Sequence, residues 1–95
     1  FSASEQTEAE SRPDTAQIFA GKFAVKEAVF KALGHLTSEG GFNFRIIETL
    51  EDVNGYPSVT MTDEVKELLH QVGASEILVS ITNENNVVTA IALVQ

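Results

Sequence analysis

The sequence predicts an α+β domain, an antiparallel sheet wrapped around a long central helix. Three observations lead there. The hydrophobic pattern runs helix, hairpin, helix, hairpin along the chain. The first helical stretch is apolar around more than half its circumference (Ile18, Phe19, Phe23, Val25, Val29, Phe30, Leu33), as a helix covered on several sides must be. The chain closes with two Val- and Ile-rich runs on either side of a polar turn, the pattern of paired strands with at least one covered face.

Residues 1–13 are rich in Ser, Glu, Ala and Thr and poor in apolar side chains, so they read as a flexible acidic arm, with the domain proper at 14–95. Asp14 after Pro13 is placed to cap the long helix, and Gln17 stands where a capping box needs it. That helix runs from about Thr15 to Leu33, with Gly34 as a left-handed stop. Gly21 inside it costs roughly 1 kcal/mol relative to Ala, which a close approach by another element or a ligand can offset. A loop follows at Thr37-Ser38-Glu39-Gly40-Gly41, then a strand from Phe42 to Leu50. Asn54-Gly55 is a strong hairpin turn before a second strand near Ser58–Met61, and Pro57 limits where that strand pairs. Thr62 caps a short helix with Asp63 and Glu64 at its positive end, buried through Val65, Leu68, Leu69 and Val72 and ended by Gly73. The final strands span about Glu76–Thr82 and Val87–Val94 around Asn83-Glu84-Asn85-Asn86.

Composition narrows the function. The 95 residues contain no cysteine, which removes disulfides, thiol catalysis and Cys-based zinc from consideration and fits a cytoplasmic protein. No apolar run reaches the length of a membrane span, and the polar, acidic start is unlike a secretory leader. A net charge of −8 argues against nucleic acid as a partner. The cations are nevertheless concentrated: Arg12, Lys22, Lys26, Lys31 and Arg45 lie in the first half, and only Lys66 in the second. The chain opens at Phe1 without an initiator Met, as expected of a processed piece or a domain of something larger.

Phe19-Ala20-Gly21-Lys22-Phe23-Ala24-Val25-Lys26-Glu27-Ala28-Val29-Phe30-Lys31-Ala32-Leu33-Gly34 carries the chemistry. Glu27 and Lys31 are four residues apart and share a helix face. Taken alone, the pair is an ordinary surface ion pair worth a few tenths of a kcal/mol. Beside Phe19, Phe23, Phe30 and Leu33, a carboxylate and an ammonium can instead hold a metal and a phosphate together. His35 and His70 fit no such pattern and read as surface residues.

This helix resembles the signature of the 4'-phosphopantetheinyl transferases, a Lys-Glu pair followed by a second Lys four residues after the Glu. With Ala-Gly-Lys-Phe before it and Ala-Leu-Gly after it, it looks most like the holo-acyl-carrier-protein synthase branch, in the version at the end of fungal type I fatty acid synthases. Ile47-Glu48, Asn54-Gly55-Tyr56-Pro57, Val79-Ser80-Ile81-Thr82 and Ala90-Ile91-Ala92 resemble further family segments in the right order, so the likeness runs from about Phe19 to Val94. It implies transfer of phosphopantetheine from coenzyme A to a serine of an acyl carrier protein, with magnesium (Mg2+) neutralising the pyrophosphate. Glu27 is then the metal ligand, and Lys31 contacts the phosphates or assists the proton. Lys22, Lys26, Asn54, Gly55, Pro57, Ser80 and Asn83 are implied at the coenzyme. The resemblance also implies a homo-oligomer or a host fatty acid synthase, and a first strand, upstream of Phe1, bearing a second metal-binding aspartate. Two positions depart from the family pattern: Ile46 replaces an acidic residue, and Asn83 replaces a histidine. Asn83 can hydrogen-bond a phosphate but cannot act as a base near neutral pH. These departures leave a second reading open, a lapsed domain of the same fold kept as a structural element.

Overall fold

The computed structural model describes residues 1–34 and 46–95. The predicted loop at 37–41, the strand residues 42–45, His35 and Arg45 lie outside the described residues.

Among the described residues, three helices and four strands follow in the order α1 (Ala3–Glu10), α2 (Thr15–Leu33), β1 (Thr49–Glu51), β2 (Pro57–Val59), α3 (Asp63–Gln71), β3 (Ile77–Glu84) and β4 (Val87–Val94). The strands form two antiparallel ladders, β1–β2 and β3–β4, with β2 beside β3 and α2 lying across β3, β4 and β1. The core gathers Val25, Val29 and Leu33 of α2 with Ile47, Val59, Ile77 and the inner stripe of α3, Val65, Leu68 and Leu69. The α+β architecture around one long central helix is therefore as predicted, although the sheet is split into two ladders.

Residues 1–13 depart from the expected arm. They contain α1, opened by a full capping box in which the Ser2 hydroxyl accepts from the Glu5 N–H and the Glu5 carboxylate accepts from the Ser2 N–H. Two inward residues, Glu5 and Ala9, are fully buried. The composition is too polar to give an apolar stripe, and α1 is anchored by charge instead.

Smaller differences have local causes. Asp14 occupies the N-cap of α2 but makes no side-chain cap bond; the Thr15 hydroxyl turns back to the Arg12 carbonyl at 2.7 Å. Gly34 does not stop α2 in the left-handed region, since its φ is −57° and its N–H still donates to the Phe30 carbonyl. Gly73, by contrast, ends α3 with φ +74°. The Thr62 hydroxyl caps α3 through the Val65 N–H, as predicted. The final turn is tighter than expected: Asn85 and Asn86, at φ 50° and 64°, join Glu84 to Val87 directly. This is the two-residue turn whose left-handed residues match the twist of the flanking strands.

Candidate functional site

The β1–β2 turn is built by Asp52, which apolar patterning does not single out. The Asp52 carboxylate accepts from the Asn54 N–H at 2.9 Å and the Tyr56 N–H at 3.0 Å, while Gly55 takes φ +83°. Gly55 and Pro57 of this hairpin border a space shared with α2. There they line a cleft of about 150 Å³ together with Gly21 and Lys22 of α2 and Ile81 and Asn83 of β3. The Thr49 hydroxyl, in the same cleft wall, is buried with no hydrogen-bond partner among the described residues. Four predicted coenzyme residues, Lys22, Gly55, Pro57 and Asn83, thus meet in one place.

A second, shallower depression lies where the C-terminal half of α2 meets β4, lined by Glu27 and Lys31 with Ala24, Ala28 and Thr89. Gln17 and Gly21 in the first cleft and Ala24, Ala28 and Lys31 in the second recur at spacings of four, three, four and three. They occupy one stripe of α2, so the two depressions follow one another along a single helix face.

The remaining predicted residues fall elsewhere. Lys26 is buried, its amine on the Ile47 carbonyl and 2.9 Å from the Glu5 carboxylate, with the Phe1 ring 5.7 Å away. Lys22 gives its amine to Glu8 at 2.7 Å and the Thr49 carbonyl at 2.5 Å, although it also borders the cleft. Asn54 is at the exposed turn tip. Ser80 points outward on β3, opposite Ile91, away from the face that Val79 and Ile81 turn to the core. The sequence held one unread signal here. Lys22, Lys26, Val29 and Leu33 fall at i, i+4, i+7 and i+11, which is the buried stripe of α2.

Charge at the α1–α2–β1 junction is internally matched. Burial alone raises the Glu5 carboxyl, but hydrogen bonds from the Ser2 and Thr49 N–H groups and from Lys26, with the Lys26 charge, outweigh it and hold Glu5 below its ordinary value. Arg12 pairs with Glu51. The Ser2 hydroxyl donates to Glu48 at 2.6 Å, and Thr60 holds the other oxygen of that carboxylate at 2.8 Å.

Among the described residues no three of His, Cys, Asp and Glu gather as a metal cage. Magnesium takes only one or two protein carboxylates and fills its octahedron with phosphate and water. Among the described residues lining the second depression, Glu27 is the one carboxylate.

A family model described as "4'-phosphopantetheinyl transferase superfamily" matches residues 1–92. The chain belongs to this superfamily. The holo-acyl-carrier-protein synthase of Shewanella amazonensis is 44% identical over 75 residues, which are 78% of this chain and 58% of that protein. The fatty acid synthase subunit alpha of Candida parapsilosis is 39% identical over 75 residues, covering 79% of this chain and 4% of that protein. The chain thus spans under two thirds of the Shewanella protein and a small part of the fungal one. Among solved structures, the Neisseria meningitidis holo-acyl-carrier-protein synthase superposes with TM-score 0.83 at 25% identity, covering 100% of this chain and 75% of that one. The acyl-carrier-protein synthase–coenzyme A complex of Chronobacterium ammoniagenes gives 0.78 at 28% identity, covering 100% and 77%. The superfamily match begins at residue 1, so it includes α1, upstream of the resemblance that runs from about Phe19. Among the described residues of this superfamily member, no helix is long and apolar enough to cross a membrane.

Proposed function

We propose that this chain is the body of a magnesium-dependent holo-acyl-carrier-protein synthase, which moves 4'-phosphopantetheine from coenzyme A to a carrier-protein serine in fatty acid synthesis in the cytoplasm. The observation that carries the reading is that the two depressions border successive turns of one stripe of α2, with Gly55, Pro57 and Asn83 at the first and Glu27 and Lys31 at the second. Pockets for drug-sized ligands run to roughly 300–1,000 Å³. The 150 Å³ cleft is too small for a whole coenzyme and suits one part of it. The remainder then lies along α2 toward Glu27 and Lys31.

In the transfer, the serine oxygen forms a bond to the pantetheine-side phosphorus as the bridging P–O bond breaks. The leaving group is adenosine 3',5'-bisphosphate, whose 5'-phosphate keeps the bridging oxygen and its electron pair, and the proton lost by serine passes to solvent. Lys31 places an ammonium beside the phosphates, where developing charge is stabilised without reorganisation. Glu27 offers the carboxylate for magnesium, which when bound would neutralise the pyrophosphate. Asn83 donates a hydrogen bond to phosphate from the β3 end.

The outer face of the β3–β4 hairpin carries Leu78, Val87, Ile91 and Leu93, between 49% and 67% exposed. Such a row favours burial against a second copy or a host synthase. The lapsed-domain reading draws on Asn83, which cannot accept the serine proton, and on Lys22 and Lys26, whose amines are taken up inside the fold.

Intact mass spectrometry separates the two readings. The full-length protein is incubated with coenzyme A, magnesium and apo carrier protein, beside Glu27→Gln, Lys31→Met and Asn83→His. Gain of one phosphopantetheine by the carrier with wild type, lost in Glu27→Gln and slowed in Lys31→Met, is expected. No gain with wild type or Asn83→His, using a matched carrier, leaves the structural reading standing.

A further inference from the structure

Among the described residues, β1 pairs with β2 along one edge only. On the opposite edge its backbone groups are answered by side chains. The Thr49 N–H donates to Glu5 at 2.9 Å and the Glu51 N–H to Glu8 at 3.1 Å. The Ile47 carbonyl accepts from Lys26, and the Thr49 carbonyl from Lys22 at 2.5 Å. These are the alternate, outward-facing groups that a neighbouring strand would bond. The spacing explains the fit: two strand residues advance about 6.6 Å and four helix residues about 6 Å, so Lys22 and Lys26 keep step with the carbonyls of Thr49 and Ile47. The acids close the circuit, since Glu5 also holds Lys26 and Glu8 also holds Lys22.

This arrangement bears on the cleft. One wall is α2 at Gly21 and Lys22, and the other is the β1–β2 hairpin at Thr49, Gly55 and Pro57. Glu8 spans them, with one oxygen on the Lys22 amine and the other on the Glu51 N–H. We infer that Glu5 and Glu8 of α1, with Lys22 and Lys26 of α2, are positioning residues that set the width of the coenzyme cleft by substituting for a strand on the β1 edge. The coenzyme part of this inference rests on the transferase reading.

The test uses the full-length protein with Glu8→Ala and Glu8→Gln, and Glu10→Ala on the exposed face of α1 as control. Transfer kinetics are read against coenzyme A, and backbone hydrogen exchange is followed by mass spectrometry. In Glu8→Ala the coenzyme A KM should rise about tenfold with kcat within about twofold, the weight of one charge-assisted hydrogen bond felt at the binding step. Glu8→Gln, which keeps an acceptor oxygen, should recover much of that loss, and Glu10→Ala should match wild type. Exchange in Glu8→Ala should quicken over residues 49–57 while residues 77–94 keep their protection. An unchanged KM in an active protein, or exchange that quickens evenly over the whole chain, overturns the inference. If wild type neither transfers nor binds coenzyme A, the transferase reading falls and the coenzyme role falls with it. Exchange over 49–57 then decides the positioning claim alone, and an unchanged hairpin overturns that too.

Discussion

Replacing Glu5 with Gln should be among the most damaging single changes of one functional group in this protein. Glu5 is fully buried, and its two oxygens accept from the Ser2 N–H at 2.8 Å, the Thr49 N–H at 2.9 Å and the Lys26 amine at 2.9 Å. Glutamine keeps one acceptor oxygen and presents an NH2 where an acceptor is needed. Lys26, only 4% exposed, loses its counter-charge and keeps the Ile47 carbonyl and the Phe1 ring. Removing one partner of a buried pair typically costs about 3–5 kcal/mol. Scaled at roughly 0.05–0.15 kcal/mol per residue, the whole domain holds about 5–14 kcal/mol, so the change removes about a fifth of it at the least. Adding Lys26→Met to Glu5→Gln removes the stranded charge and should recover most of the loss. Urea unfolding of wild type, both single variants and the double at pH 7 measures the coupling. Glu5 sits below its ordinary value of 4.5. Its contribution is therefore complete above that value and drains away as pH falls through the lower folded value. The gap between wild type and Glu5→Gln should narrow over that acid range. A cost below about 1 kcal/mol for Glu5→Gln, or purely additive singles, would contradict the role given to the pair.

Gly21→Ala places a Cβ 3.4 Å from the Ile81 Cδ1, a mobile side-chain end, while gaining about 1 kcal/mol of helix propensity; its melting temperature should hold or rise while coenzyme A affinity by calorimetry falls, because the methyl enters the cleft. Glu27→Gln should abolish carrier loading with a melting curve close to wild type, since the side chain lies at a surface depression; a large drop in melting temperature would show it to be structural. Asn86→Gly relieves a left-handed residue at φ 64° and should stabilise by about 0.5 kcal/mol in urea, with no effect on transfer.

The elements legible in the sequence were those held by apolar periodicity. Thr15–Leu33, the Thr62-capped helix and the closing hairpin all carry stripes or runs that only one local geometry can bury. α1 was opaque because its inward residues are Glu5 and Ala9, and no hydropathy pattern marks a buried carboxylate. Its one local signal was Ser2-x-x-Glu5, a capping-box spacing. Glu27 and Lys31 could be paired from their interval alone. The inward turn of Lys22 and Lys26 contradicts the expectation that lysines are solvated, and only their register with Val29 and Leu33 betrays it. Ser80 was ambiguous because Leu78 and Val79 are both apolar, so alternation does not say which parity faces α2.

The bonds that seat α1 join residues far apart in the chain: Ser2 with Glu48, Glu5 with Thr49, Glu8 with Glu51, separations of 46, 44 and 43. The β3–β4 ladder, by contrast, closes across a two-residue turn. Loop-closure entropy and topology therefore order the events of folding, with the hairpin early and the seating of α1 late. Interactions absent from the transition state govern the rate of unfolding and leave the rate of folding nearly untouched. On this reasoning α1 acts as a kinetic bolt: substitutions at Glu8 should speed unfolding in stopped-flow chevrons, whereas a slowed refolding arm would place the α1 contacts in the folding nucleus. The residues that close the β1 edge would then also set how long the folded domain lasts.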